Sequence, residues 1–456
     1  MSTGVIDPIY DLSQRYAQDN STESRNFLKI FDESTGGSNM NNNPLQQTLL
    51  FRINDLYNLL ALGRSFLHFQ VKLASDAVGT VLPAGEQQAM INGFHKSFRR
   101  CNLRFNGQPI DSEHNYLRES INIMEILGRD KNFDEANGSR YGYIPETSDY
   151  SVGFTNSGTN DPASNASYAA RSSFFDNGTV NNFSVPLHKF FPFLRYFDRV
   201  LKGISVEIEL ELAPPSEILC TRTGAATTAP VLNWHGPGAT LHVERRVPSL
   251  SVRKDLEEAL NKGFELNGFE YTAHSTYKQN FDGNSPGGDF HVSTHVSKPL
   301  RVYVAFQNAD RLTNTQLNST LYDNCAIDRL SVMVNGSINP LEPYEPKWSN
   351  NTSVDSRSGR MRAYNDLLAS QGLDVSPMSD KLNHGTISYQ DWALKYPIYV
   401  IDLTNVQDTE YTGASEIVVS FERGANAIPF NCFVCVEHMK TANIKLNNTD
   451  PQIVVA

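Results

Sequence analysis

No stretch of this 456-residue chain approaches the roughly 20 apolar residues that cross a bilayer as a helix, so no transmembrane segment is expected. The first residues lack a basic region followed by an apolar stretch, which predicts no secretory signal. Cysteine is scarce: five residues, dispersed at 101, 220, 325, 432 and 435. An odd, scattered set implies no disulfide framework and suits a reducing compartment. Positive charge is also short, with 39 Lys and Arg against 50 Asp and Glu, a net charge of −11. A chain whose main work is neutralising phosphates is thereby excluded, and no specific nucleic-acid partner is expected. A Gly-x-Ser-x-Gly elbow, a Walker A loop and a dinucleotide fingerprint are all missing.

The few groupings that resemble chemistry have simpler readings. Cys432 and Cys435 form a CxxC, but inside an alternating strand, where the two sulfurs point to opposite faces. No second CxxC completes a zinc site. His291 and His295 flank Val, Ser and Thr, which favour a strand. Four strand residues span about 13 Å, too far for two ligands at about 2 Å from one ion. Asp134 and Glu135 read as a solvated loop, and Glu257 and Glu258 as a solvated helix face. The basic run from His95 to Arg100 reads as a solvated strand edge with inter-subunit ion pairs. No catalytic, cofactor-binding or metal residue is therefore assigned, and the chain is expected not to be an enzyme.

What the sequence does have is strand chemistry, used twice. It holds 25 Phe and 19 Tyr, 39% hydrophobic residues, and many turn-forming residues. Residues 67–73 and 300–306 are similar alternating runs. An Asn-Gly hairpin turn follows each, Asn106-Gly107 and Asn335-Gly336. A helix-like stretch ends at Gly128 or Gly372. A strand pair opened by Pro186 or Pro397 comes next, then a closing strand at 239–247 or 430–437. Five landmarks in one order predict a duplicated β-domain. The clearest strand is 205–212, with Val206, Ile208, Leu210 and Leu212 on one face and Ser205, Glu207, Glu209 and Glu211 on the other.

The expected organisation is an N-terminal arm at 1–45, a first domain at 46–250, a linker helix at 251–263, a second domain at 264–446, and a tail at 447–456. Polar residues and weak periodicity define the arm. Ser112 is the expected cap of a helix through Leu127. Residues 135–182, rich in Asn, Gly, Ser and Tyr, read as a surface loop or tower. Ser251 is the expected cap of the linker helix and Gly263 its C′ residue. The aromatic groups Phe190, Phe191 and Phe193, with Tyr196 and Phe197, read as domain core, with subunit contact as the alternative. The strand-like end at Ala456 suggests a processed C-terminus.

Residues 185–210 resemble the late strands of the first roll in double jelly-roll major capsid proteins, above all those of virophages and Polinton (Maverick)-like viruses. Residues 300–306, the strand at 330–336 with its Asn-Gly turn, and the approach from Arg423 to the last strand resemble the second roll. The resemblance spans roughly residues 45–445. It implies an all-β chain of two tandem eight-stranded antiparallel jelly-roll sandwiches joined by a short helix, with helical and long-loop insertions. It further implies a mavirus-like major capsid protein of the virion. Such a chain forms a homotrimer that packs as a pseudo-hexagonal capsomer beside neighbouring capsomers and the penton and minor capsid proteins, with no cofactor. A glycan- or receptor-binding β-sandwich of the spike or lectin type is the alternative.

Overall fold

The computed structural model describes residues 22–34, 48–55, 58–75, 80–81, 87–113, 115–128, 138–144, 160, 165–197, 199–222, 230–293, 296, 298–349, 354–371, 387–404, 415–425, 428–446 and 452–455. The strands of the first half are β1 (Thr22–Phe31), β2 (Thr48–Ile53), β3 (Leu59–Ala74), β4 (Ala89–Met90), β5 (Phe98–Phe105), β6 (Gln108–Glu113), β7 (Asn181–Pro186), β8 (Val206–Leu212), β9 (Leu219–Cys220) and β10 (Val231–Pro248). Those of the second are β11 (Phe264–Phe281), β12 (Gly287–Ser293), β13 (Pro299–Asn308), β14 (Ile327–Val334), β15 (Ser337–Tyr344), β16 (Ile398–Asp402), β17 (Glu416–Arg423), β18 (Phe430–Leu446) and β19 (Gln452–Val455). The helices are α1 (Leu117–Gly128), α2 (Ala166–Ser173), α3 (Pro192–Tyr196), α4 (Pro215–Ile218), α5 (Leu250–Lys262), α6 (Val354–Ser370) and α7 (Tyr389–Lys395).

Each half is a sandwich of two antiparallel sheets. The first stacks β1-β10-β3-β7 on β2-β8-β5-β6, and the second stacks β11-β18-β13-β16 on β12-β17-β14-β15. The two paths are the same strand for strand, so the duplication read from five landmarks holds for eight strands. One core fills each sandwich. Phe51, Phe69, Leu103, Ile208 and Leu241 come from both sheets of the first, and Val292, Val304, Val332, Val419 and Val434 from both sheets of the second.

The alternation in β8 sets the register of its sheet. Val206, Ile208, Leu210 and Leu212 are buried. On the other face Glu207 pairs with Arg52 at 3.1 Å and Arg104 at 2.9 Å, and Glu211 pairs with Arg99. These partners lie on the flanking strands β2 and β5. Half-exposed ion pairs contribute only about 0–1 kcal/mol each, whereas a one-residue slip would expose four apolar side chains. Both Asn-Gly turns have positive φ at both central residues, 49° and 80° at Asn106 and Gly107, 48° and 82° at Asn335 and Gly336. That is the backbone of a type I′ hairpin, which matches strand twist.

Several expectations need correction. The segment expected as an arm, 1–45, contains β1, which pairs with β10 from Thr22 to Phe31. Ser112 does not directly precede the helix: it lies in β6 opposite Asn102, and α1 begins at Leu117. The linker helix starts at Leu250, and its first turn closes with the Arg253 N–H donating to the Ser249 carbonyl, so the cap position is Ser249 rather than Ser251. Gly263 follows the helix with φ 79°, the left-handed C′ geometry expected of it. The region 135–182 is not all surface, since Tyr141, Tyr168 and Phe175 are in the first core; residues 145–159 lie outside the described set. The tail carries β19, which pairs with β18 and gives that sheet a fifth strand. The α6 helix ends at Ser370, and Gly372 lies outside the described residues.

Candidate functional site

Helix α1 joins the two sandwiches. Leu117 and Ile121 belong to the first core, while Ile123, Ile126 and Leu127 belong to the second. Tyr271, Ala273, Ala442 and Ile444, on β11 and β18, reciprocate by entering the first core. The ring of Tyr271 stands edge-on to Phe193 at 5.3 Å, and its hydroxyl donates to the Ile110 carbonyl of β6 at 3.1 Å. Asn122 donates to the Thr320 carbonyl at 2.9 Å, and Ser319 donates to the Glu217 carbonyl at 2.7 Å. The seam thus lays the β6–α1 side of the first sandwich on the β11 side of the second.

Its polar centre is Glu125. One carboxylate oxygen meets His95 Nε2 at 2.8 Å and Lys96 Nζ at 3.1 Å; the other meets Lys189 Nζ at 3.4 Å. Lys96 also donates to Asn122 at 2.9 Å. Burial pushes the His95 imidazole down to about 4, against the pull of Glu125, so the ring is neutral near neutral pH. Removing a partner from so buried a set leaves an uncompensated charge.

The basic run is therefore not a solvated edge with inter-subunit pairs. His95 and Lys96 are buried on Glu125, and Arg99 and Arg100 face Glu211 of the same chain. Phe190, Phe191, Phe193 and Phe197 are core, as read, and only Tyr196 of that group is exposed. Cys432 and Cys435 lie on β18, both are buried, and neither is in a disulfide. His291 lies on β12, Glu257 and Glu258 on the exposed side of α5. His295, Asp134 and Glu135 fall outside the described residues. Among the described residues no three His, Cys, Asp or Glu gather as a metal site requires, and no helix is long and apolar enough to cross a membrane.

The apolar surface is distributed unevenly between equivalent places. On β6 and β11, within the seam, Ile110 is 2% exposed and Tyr271 1%. On β15, which stands where β6 stands, Ile338 is 48% and Leu341 90% exposed; Met361 on the adjoining α6 is 41% exposed. On β1, which stands where β11 stands, Phe27 is 49% and Phe31 52% exposed. Phe27 leans edge-on against Phe66 at 5.4 Å, and Phe66 stacks on His242 at 4.9 Å, so the β1 face is a built aromatic patch. The apolar residues of β6 and β11 are covered within the chain, and those on the equivalent strands β15 and β1 are exposed.

No family model matches the sequence, and no curated protein matches it by sequence. Solved structures match its fold. The chain is similar to a structure of the Sputnik virophage, with a TM-score of 0.53 and 11% identity over 100% of this chain and 93% of that one. It is similar to the mavirus major capsid protein, with a TM-score of 0.51 and 12% identity over 100% and 96% of the two chains. The Faustovirus major capsid protein gives 0.51 and 10% over 93% and 91%.

The fold is the double jelly roll. In these terms the seam is the contact between the two rolls of one chain, and α1 is its spacer. The Ile338–Leu341 and Phe27–Phe31 surfaces are the outer flanks of the double jelly roll, one on each roll. Sequence reasoning missed both. Their signal lies only in the alternation of residues 22–31 and 337–344 and in strand equivalence, which needs the sheet order.

Proposed function

We propose that this chain is a major capsid protein, a structural subunit that assembles into an icosahedral viral shell. The observation that carries the reading is the uncovered second copy of the seam. The β15–α6 flank of one chain fits the β1 flank of the next by the geometry that already joins its own two rolls. Such a contact is head-to-tail, and head-to-tail contacts close into rings when the rotation divides the circle. Six rolls in six equal steps use three chains, which gives a homotrimer with a pseudo-hexagonal outline suited to tiling.

Support comes from the similar structures, two of which are described as major capsid proteins, of mavirus and Faustovirus. The location is then the virion, and the partners are neighbouring capsomers with penton and minor capsid proteins. The role is structural, without catalysis. An arm function is proposed for residues 1–21 alone, because β1 belongs to the first roll. Native mass spectrometry of the purified chain tests this: the reading predicts a species of three times the 50.9 kDa chain mass. A monomer at micromolar concentration would overturn it.

A further inference from the structure

One cavity at the seam is not explained by packing the rolls together. It has a volume of about 510 Å³ and is partly open to solvent. That volume lies within the roughly 300–1,000 Å³ of sites that hold small organic ligands. Its apolar lining comes from Leu117, Ile121 and Met124 of α1 and Phe190 before α3. Its polar lining includes Arg140, Lys189 and Arg195, with the imidazoles of His188 and His274.

The charge facing this space is positive, although the chain as a whole carries −11. Two carboxylates also line it, and both are already engaged. Glu125 is held by His95, Lys96 and Lys189, as above. Asp111 accepts the Phe193 N–H at 2.7 Å and faces Lys440 at 3.9 Å. Arg140 and Arg195 have no carboxylate partner among the described residues. Burial and then Lys189 and Arg195 push His188 down to about 4. His274 is pushed down to about 4 by burial and by Arg195, against Glu437. Two elements separated in sequence, the 186–196 strap and β11, thus feel one cationic centre.

We propose that this inter-roll cavity binds a small amphipathic organic anion, a carboxylate with an apolar body, its head on Arg140, Lys189 and Arg195 and its body against Leu117, Ile121 and Met124. The site lies within one chain and does not depend on shell assembly. A neutral apolar molecule would leave the lining cations without a counter-charge, and a compact anion such as sulfate would leave the apolar lining bare. A bound anion also offsets the potential that holds His188 and His274 neutral, so their protonation shifts to higher pH on binding.

The test uses the full-length chain and decanoate as probe, with 1-decanol and sulfate as controls, read by titration calorimetry and by the histidine ring signals in NMR. Decanoate is expected to bind saturably, one per chain, more tightly than either control, and to move the His188 and His274 titrations upward. Arg140 and Arg195 are exposed, so the double variant Arg140→Glu, Arg195→Glu is expected to melt as the parent does and to bind roughly tenfold or more weakly. Absence of saturable binding overturns the proposal. So does decanol or sulfate binding as tightly as decanoate, or binding by the double variant at parental affinity.

Discussion

Asn106 and Ser205 are bonded twice: the Asn106 backbone N–H donates to the Ser205 carbonyl at 2.9 Å, and the Ser205 N–H donates to the Asn106 side-chain oxygen at 2.8 Å. Asn335 and Glu416 repeat both bonds at the same lengths, 2.9 and 2.8 Å. Each Asn opens an Asn-Gly turn, and each partner stands at the start of the strand that neighbours the hairpin. The pair ties a local turn to a long-range strand neighbour, once in each roll.

Two properties of Asn are used there, tolerance of positive φ and a side-chain acceptor. Replacing Asn106 or Asn335 by Ala loses both, and each variant is expected to lose about 1–2 kcal/mol of stability. Asn→Gly keeps the backbone geometry and loses only the acceptor, so it falls between parent and Ala. Chemical denaturation of the four single variants checks the order, which fails if Gly is worse than Ala.

Ile208→Asp places a carboxylate among buried side chains of the first core and is expected to abolish folding. Ile208→Ala costs about 2–5 kcal/mol. Glu209→Ala, on the opposite face of the same strand, is expected to stay within about 0.5 kcal/mol. Soluble expression and melting curves separate these, and a well-folded Asp variant would contradict the register of β8.

Glu125 is where the seam is most exposed to mutation. Glu125→Gln leaves Lys96, which is 1% exposed, without its carboxylate. The expected loss is about 3–5 kcal/mol, measured as a lower denaturation midpoint. The double variant Glu125→Gln, Lys96→Met is expected to recover part of it, since it removes the stranded charge.

Much of the fold was legible because its signal is local. The period-2 alternation of 206–212 and the two Asn-Gly turns are written in neighbouring residues, and the strand and both turns stand at those positions. β1 was not legible: in residues 22–31 only Leu28 and Ile30 pack on the core, and exposed Phe27 and Phe31 blur the alternation. The seam was illegible for a different reason. His95 and Glu125 are thirty positions apart, and nothing in either segment says that α1 lies over the other. A basic run looks solvated until its carboxylate partners are placed.

Acid weakens the chain. Burial holds His95, His188 and His274 at about 4 and His438 at about 3, below the usual value near 6.5. Between those values the unfolded chain binds more protons, so stability is full above about 6.5 and is lost as pH falls toward 4. Asp111 acts in the opposite sense, because burial raises it to about 6 and acidification relieves its cost. Burial also raises Glu217, which acts in the same sense as Asp111. The four histidines outweigh these two carboxyls. The melting temperature is expected to fall steadily from pH 7 to pH 4, and a rise over that range would contradict the buried, neutral state of these rings.

Deleting residues 1–40 removes β1 and strips a partner strand from the whole of β10 between Thr240 and Pro248. The product is expected to be insoluble or to melt far below the parent. Deletion of residues 1–21 leaves every paired strand of the described residues in place and is expected to keep the parental melting temperature. Equal behaviour of the two truncations would contradict the assignment of β1 to the first roll.

The central claim is that three chains close a ring through the β1 flank and the β15–α6 flank. Negative-stain electron microscopy of the purified chain and of its Leu341→Asp variant tests it most directly. The account predicts particles of hexagonal outline for the parent and single two-lobed particles for the variant, whose mutated side chain is 90% exposed in the lone chain and therefore spares its fold. Single two-lobed particles for the parent, or hexagonal particles unaffected by the substitution, would contradict it.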